Sequence, residues 1–261
     1  MVVKGSQVRN NDEVRDIVNS KVEVEPNLYE ITDRANNKIR VNTETGLVYR
    51  EKNGEFVLCN TVEESEKENG YLYVKLFIND KNGKTKDINY GQHSIVAMIA
   101  YTDKYDMIAE DNTPIANHKN NCPWDNRAVN LEWTITKWNS LHGKVISSIH
   151  RKKFYVNNMT KRTWTTIQHN QSEKDFVTLT EEQTLSVKEL EAYENYIKTT
   201  NKKAKTLKGL WGIKKDHDYI NEYDLVSFIK WLDKYRASQS QKSTRTTGKG
   251  MGLWNIINRA I

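Results

Sequence analysis

The sequence predicts an α+β protein in which a small N-terminal antiparallel sheet leads into an irregular polar segment and then a mainly helical C-terminal region. Three observations predict it. Residues 20–90 hold short β-branched and aromatic runs separated by ETG, KNG, ENG and KNG turns; residues 117–130 hold five Asn; and apolar residues recur at helical spacing beyond 180. The division expected is 1–100, β-rich with a short helix; 101–146, a compact core; and 147–261, basic and mainly helical.

The expected strands are YEITD, KIRVN, LVYRE, EFVLCN and YLYVKLFIND. The apolar residues of the last run almost unbroken from Tyr71 to Ile78, which marks it as the most buried of the set. In HSIVAMIAYTDKY, Ile95, Val96, Met98 and Ile99 fit a short helix facing the core better than a strand. The five Asn between 117 and 130 suit neither helix nor strand, so a structured loop is expected there. Ile135 to Ile146 then reads as a helix that brings Asn139 and His142 onto one face.

Residues 144–170 carry Lys144, Arg151, Lys152, Lys153, Lys161 and Arg162 without any acid, interleaved with Phe154, Tyr155 and Trp164. This composition suits contact with phosphates of DNA. Thr180 with Gln183 is a capping-box signal, and Leu185, Leu190, Tyr193 and Ile197 continue an apolar spacing. A second acid-free basic run covers 199–215. Asn221 opens EYDLVSFIKWLDKYR, whose stripe is Leu225, Phe228, Ile229 and Leu232. A Ser/Thr/Gly-rich linker is expected over 237–252, followed by LWNIINRAI.

The totals narrow the function classes. With 37% apolar residues, seven Trp and 13 Tyr in 261 residues, the chain is too rich in rings for a disordered protein, and three Pro with a charged surface suggest no dense β-sandwich. Cys59 and Cys122 lack paired Cys or His spacing, so neither a disulfide framework nor a zinc knuckle is indicated. The N-terminus lacks an apolar signal core and no 18-residue apolar run exists, so a cytoplasmic protein is expected. Charge is uneven: −4 over residues 1–70, balanced over 71–142 and +10 over 143–261. Such asymmetry favours a polyanionic partner.

The constellation that carries chemistry is Asn117-His118, then Asn130-Leu131-Glu132-Trp133, then Asn139 with His142; from His118 the spacings are 12 to Asn130 and 21 to Asn139. Upstream stands His93-Ser94-Ile95-Val96-Ala97. Residues 68–143 resemble the HNH endonucleases of phage and intron homing proteins, with a looser resemblance over 25–67. The resemblance implies a ββα-metal core over residues 101–146, with His118 at the end of the first strand as general base and Asn130 on the second strand bracing the loop. It also implies Asn117 and Asn139 as ligands of one divalent ion, Mg²⁺ or Mn²⁺. Phosphodiester hydrolysis needs these parts: a base to deprotonate water, and a cation to neutralise charge on the pentacoordinate phosphate.

Many members of the family carry Asp where this chain has Asn117, and a neutral amide holds Mg²⁺ less strongly. The Asp-Gly that usually follows the His-Lys pair is replaced by Asn120-Asn121, with loop length preserved. For His142 three roles stand open: a phosphate contact, a structural hydrogen bond or an accessory metal ligand. His93 is assigned to structure, Leu131 and Trp133 to the core, and His150, His169 and His217 receive no role. The implied activity is nicking of one strand of double-stranded DNA by a monomer, since one site cuts one strand. A phage-encoded protein in a bacterial host is implied with it. The alternative is a DNA-binding regulator descended from such nucleases, with a weak or lost site, dominated by residues 180–236.

Overall fold

The computed structural model describes residues 6–59, 71–156, 184–200 and 222–243. It is a mixed α and β structure, with antiparallel sheets first and helices later. The chain divides into two compact units, residues 1–136 and 137–261.

The first unit opens with α1 (Ser6–Asn19), a helix outside the elements expected from sequence. Five strands follow: β1 (Val22–Glu25), β2 (Leu28–Thr32), β3 (Lys38–Asn42), β4 (Val48–Lys52) and β5 (Glu55–Leu58). They form one antiparallel sheet in chain order. The β4–β5 hairpin closes on Asn53-Gly54, with Lys52 opposite Glu55 and φ of 54° and 86°. Two left-handed residues make the tight turn whose twist matches antiparallel strands, which is why Asn-Gly occupies it.

The run expected as the fifth strand of that sheet lies elsewhere. β6 (Tyr73–Asn79) pairs with β7 (Thr85–Gly91) in a separate two-stranded sheet, and the exposed β1 is the fifth strand instead. Val74, Leu76 and Ile78 are buried while Lys75 faces water, so β6 buries one face rather than both. Asp33 joins the sheets. Its buried carboxylate accepts from the backbone N–H groups of Ala35, Asn37 and Phe77, and Arg50 of β4 reaches both Asp33 and the carbonyl of Lys75.

The segment expected as one helix is two: α2 (Gln92–Ala100) and α3 (Thr102–Ala109), broken at Tyr101, whose φ of −141° and ψ of 44° leave the helical region. The break frees the Tyr101 hydroxyl to donate to the carbonyl of Ala128 at 2.9 Å. Helix α2 is the centre of the unit. Its Ile95, Val96, Ala97 and Met98 pack with Val14 and Ile17 of α1, Ile31, Ile39 and Val41 of the sheet, and Leu76 of β6. Two short strands, β8 (Ile115–His118) and β9 (Leu131–Thr134), pair antiparallel against this core, separated by a loop and a single 3₁₀ turn at Ala128–Asn130. Leu131 and Trp133 are buried in the core as expected, and the indole N–H of Trp133 donates to the carbonyl of Ala97 at 3.1 Å.

The second unit holds α4 (Thr136–Val156), α5 (Val187–Thr200) and α6 (Glu222–Ser243), the first residue of α4 belonging to the other unit. Leu141, Val145 and Ile146 form a core with Leu185, Leu190, Tyr193, Ile197, Phe228, Ile229 and Leu232. The side chain of Leu225, Thr180 with Gln183, and the segment 253–261 lie outside the description. A capping box is present at Ser186 and Glu189: each side chain accepts from the other's backbone N–H, at 3.2 and 2.8 Å. Arg236 clamps α6 onto the same carboxylate and onto the carbonyl of Thr184. Residues 237–243, expected in a linker, continue α6 instead, and Ser238 bonds back to the Tyr235 carbonyl at 2.7 Å; the rest of the expected linker lies outside the described residues. No described helix is long and apolar enough to cross a membrane.

Candidate functional site

Strand alternation sets the directions of the side chains on the β8–β9 hairpin. The paired residues are Ala116 with Trp133, Asn117 with Glu132, and His118 with Leu131. Ala116, His118, Leu131 and Trp133 therefore share the face toward α2, while Asn117 and Glu132 share the other. On that second face the amide nitrogen of Asn117 donates to a Glu132 carboxylate oxygen at 2.8 Å. This leaves the amide oxygen of Asn117 as its remaining acceptor.

The loop after His118 is held by its own polar side chains. Asn121 N–H donates back to the His118 carbonyl at 2.9 Å, closing a turn in which Asn121 takes φ of 58°, a conformation Asn tolerates. Asn130 is the brace that was expected, although it closes the 3₁₀ turn immediately before β9 rather than lying in the strand. Its carbonyl accepts from Lys119 N–H, its side-chain oxygen accepts from Asn120 N–H, and its amide donates to the Asn120 side chain and the Asp125 carbonyl. Asp125, 3% exposed, accepts from Asn120 at 2.7 Å and takes the fork of Arg127 on both oxygens at 2.7 Å each. The bidentate pairing satisfies a carboxylate that burial alone would penalise.

The loop is also held from outside. Ala128 N–H donates to the carbonyl of Thr43 at 2.8 Å, in the turn between β3 and β4. Gly46 in that turn has φ of 75°, and a Cβ there would lie 2.4 Å from the backbone carbon of Asn126. Only glycine lets the two turns meet so closely.

The product of this scaffolding is the environment of His118. The residue is 6% exposed, and its Nε2 lies 3.0 Å from Oδ1 of Asn126. Because that oxygen can only accept, Nε2 carries the hydrogen and Nδ1 carries the basic lone pair. Two more rings pack around it. The His93 centroid is 5.0 Å away, Tyr71 is 5.9 Å away, and Tyr71 and His93 are 5.3 Å apart. His93, assigned to structure from its position at a helix start, thus touches the candidate base. It is seated over Gly91, where a Cβ would come within 2.5 Å of the imidazole.

Burial pushes His118 below its ordinary value, with the Asn126 hydrogen bond and the Asp125 charge opposing. Burial pushes His93 well down, and a charge on His118 would push it further. Both rings are therefore neutral near pH 7. The sign of the consequence is definite: below about pH 6.5 the unfolded chain takes up protons that the folded rings refuse, so stability falls as pH drops. His93→Gln is expected to shallow that fall by up to about 1.4 kcal/mol per pH unit, read from urea unfolding between pH 6.5 and 5; an unchanged slope would place the proton uptake elsewhere.

The remaining expected site residues lie in the second unit. Asn139 and His142 are both on α4, and Asn139 is partly buried. His142 is fully buried and its Nε2 lies 2.6 Å from the carbonyl of Leu185, the structural hydrogen bond among its three expected roles. Lys144 is partly buried on the same helix. Arg151, Lys152 and Lys153 continue α4, their side chains outside the description, and Lys161 and Arg162 lie outside the described residues. Cys122 is buried with its thiol pushed far up by burial, and Cys59 is pushed up to about 11; neither is in a disulfide.

Asn126, Asp125 and Tyr71 carry no role in the sequence reading, and Glu132 stands there only within the motif Asn130-Leu131-Glu132-Trp133. The Asn-rich run was the one signal for Asn126, and it does not say which Asn faces the ring. Among the described residues no three His, Cys, Asp or Glu side chains converge on one point. On the second face of the hairpin the Asn117 amide and the Glu132 carboxylate are bonded to each other. The chain matches no family model, and no curated protein or solved structure gives a significant match.

Proposed function

We propose that the protein is a metal-dependent DNA endonuclease of the HNH homing type that nicks one strand by hydrolysis. In this reading β8, β9 and the N-terminal part of α4 are its ββα-metal core. The observation that carries the proposal is a buried, neutral His118, tied through Nε2 to Asn126 inside a loop braced by Asn130, at the position where the motif requires a general base.

In the proposed reaction Nδ1 of His118 removes a proton from the attacking water while Asn126 keeps the ring from turning. Asn130 acts through the loop, as a positioning residue. Asn117 and Asn139 hold Mg²⁺ or Mn²⁺, which supplies charge neutralisation on the phosphate when bound. Lys144, Arg151, Lys152, Lys153, Lys161 and Arg162 extend along double-stranded DNA from the +10 half of the chain. A phage-encoded enzyme acting as a monomer in the bacterial cytoplasm fits the resemblance.

The test is a supercoiled plasmid incubated with the full chain and Mg²⁺ or Mn²⁺, followed by end-mapping. Open-circle product with ends on one strand is expected. Plasmid that stays supercoiled while duplex DNA is retarded in a gel would make the chain a DNA-binding regulator instead.

A further inference from the structure

We infer that His93 is a second catalytic imidazole, whose Nε2–H donates a hydrogen bond to an oxygen of the scissile phosphate while His118 activates water. The inference rests on the proposed nuclease reading and deepens it, and it needs residues of the first unit alone. His93 is the second residue of α2, and its ring centroid stands 5.0 Å from that of His118, with the planes tilted by 46°. Tyr71 packs against both rings. The seat is shaped for a flat, small ring: Gly91 presents no side chain to it, and a Cβ there would lie 2.5 Å from Cε1 of His93 and 2.9 Å from Nδ1.

The chemistry of the ring singles out one atom. Nδ1 is buried and has no hydrogen-bond partner. A position that asked only for packing would be better filled by a carbon side chain, because a buried polar atom without a partner is destabilising. Of the two ways to leave that atom unmet, a bare N–H is the rarer, so Nδ1 keeps the lone pair and the hydrogen sits on Nε2. The residue as a whole is only partly buried, which leaves Nε2 as the polar atom that meets a ligand. A ring offering one N–H donor and no open acceptor suits a phosphate, whose unprotonated oxygens only accept. Burial keeps His93 neutral, and a neutral imidazole N–H still stabilises charge that grows on an oxygen during reaction. His93 transfers no proton in this scheme: the proton of the attacking water goes to Nδ1 of His118, and the hydrogen of His93 stays on Nε2.

Packing and donation make opposite predictions. Phenylalanine keeps a ring and loses the donor, whereas glutamine loses the ring and keeps an amide N–H near the place of Nε2. His93→Phe is expected to lower kcat for plasmid nicking at least about tenfold, with KM and gel retardation of DNA unchanged, while His93→Gln stays within about threefold of wild type. A second measurement needs no variant to fold. In the full wild-type chain carrying isotope-labelled histidine, the Nε2–H proton of His93 is expected to move downfield in the magnetic resonance spectrum when a short DNA duplex is added without metal. Nicking by His93→Phe at the wild-type rate, nicking by His93→Gln as poor as by His93→Phe, or a His93 signal that the duplex leaves in place overturns the inference. A signal that moves in a wild type that never nicks plasmid upholds the phosphate contact and rejects the nuclease reading, so the two failures are distinct.

Discussion

His118→Ala is expected to lower plasmid nicking by about two orders of magnitude or more, the usual cost of deleting a general base, while leaving DNA retardation in a gel unchanged. Such a loss corresponds to at least about 2.7 kcal/mol of transition-state stabilisation. Two features of the structure make the expected loss large. The ring is neutral near pH 7 because burial disfavours its charged form, which is the state the proposed role as base requires. It is also held at one end by Asn126, so the lone pair on Nδ1 keeps one direction. His118→Gln separates these contributions, since a glutamine amide can still donate to Asn126 yet cannot accept a proton at neutral pH; it is expected to fold like wild type and nick like the alanine variant. A nicking rate within a few-fold of wild type in either variant would show that water is activated elsewhere, and the observed loss should be the same at saturating Mg²⁺, because His118 is not assigned to the ion.

How far the sequence foretold this arrangement depends on the length scale of the interactions involved. Turns written in two residues were readable: Asn53-Gly54 demands left-handed backbone at both positions, and the hairpin forms where those residues stand. One-faced burial on helices was readable too, as Phe228, Ile229 and Leu232 show. Strand partnership was not. Nothing local to Tyr71–Ile78 says that it pairs with Thr85–Gly91, a strand with a single buried side chain, rather than with the sheet before it. Nor was the helix break at Tyr101, which is settled by a hydroxyl reaching Ala128. At the candidate site, His118 and Asn130 stood out through the family resemblance, but the contacts of Asn126, His93 and Gly46 were not legible. Their importance arises from contacts across the fold: Gly46 matters because a turn 80 residues away lies against its α-carbon.

The second large effect is expected at that brace. Asn130→Ala is expected to destabilise the first unit by roughly 2–4 kcal/mol, because deleting the side chain strands the buried Asn120 N–H and Asp125 carbonyl together, and each unmet polar group costs about 1–3 kcal/mol. Aspartate is no substitute: it keeps an acceptor for Asn120 N–H but points a second oxygen at the Asn120 side-chain oxygen and the Asp125 carbonyl, where an amide N–H₂ now donates. The damage should be local before it is global. Asn120 and Asp125 flank the Asn126 that holds His118, so hydrogen exchange at residues 119–130 is expected to accelerate before exchange in α2 does, and nicking should fall even where the chain remains folded. Urea unfolding gives the stability change and the plasmid assay the activity change. A variant with the wild-type unfolding midpoint and the wild-type nicking rate would mean that the turn at Asn121 and the Asp125–Arg127 pair hold the loop by themselves, and with it the orientation of the imidazole.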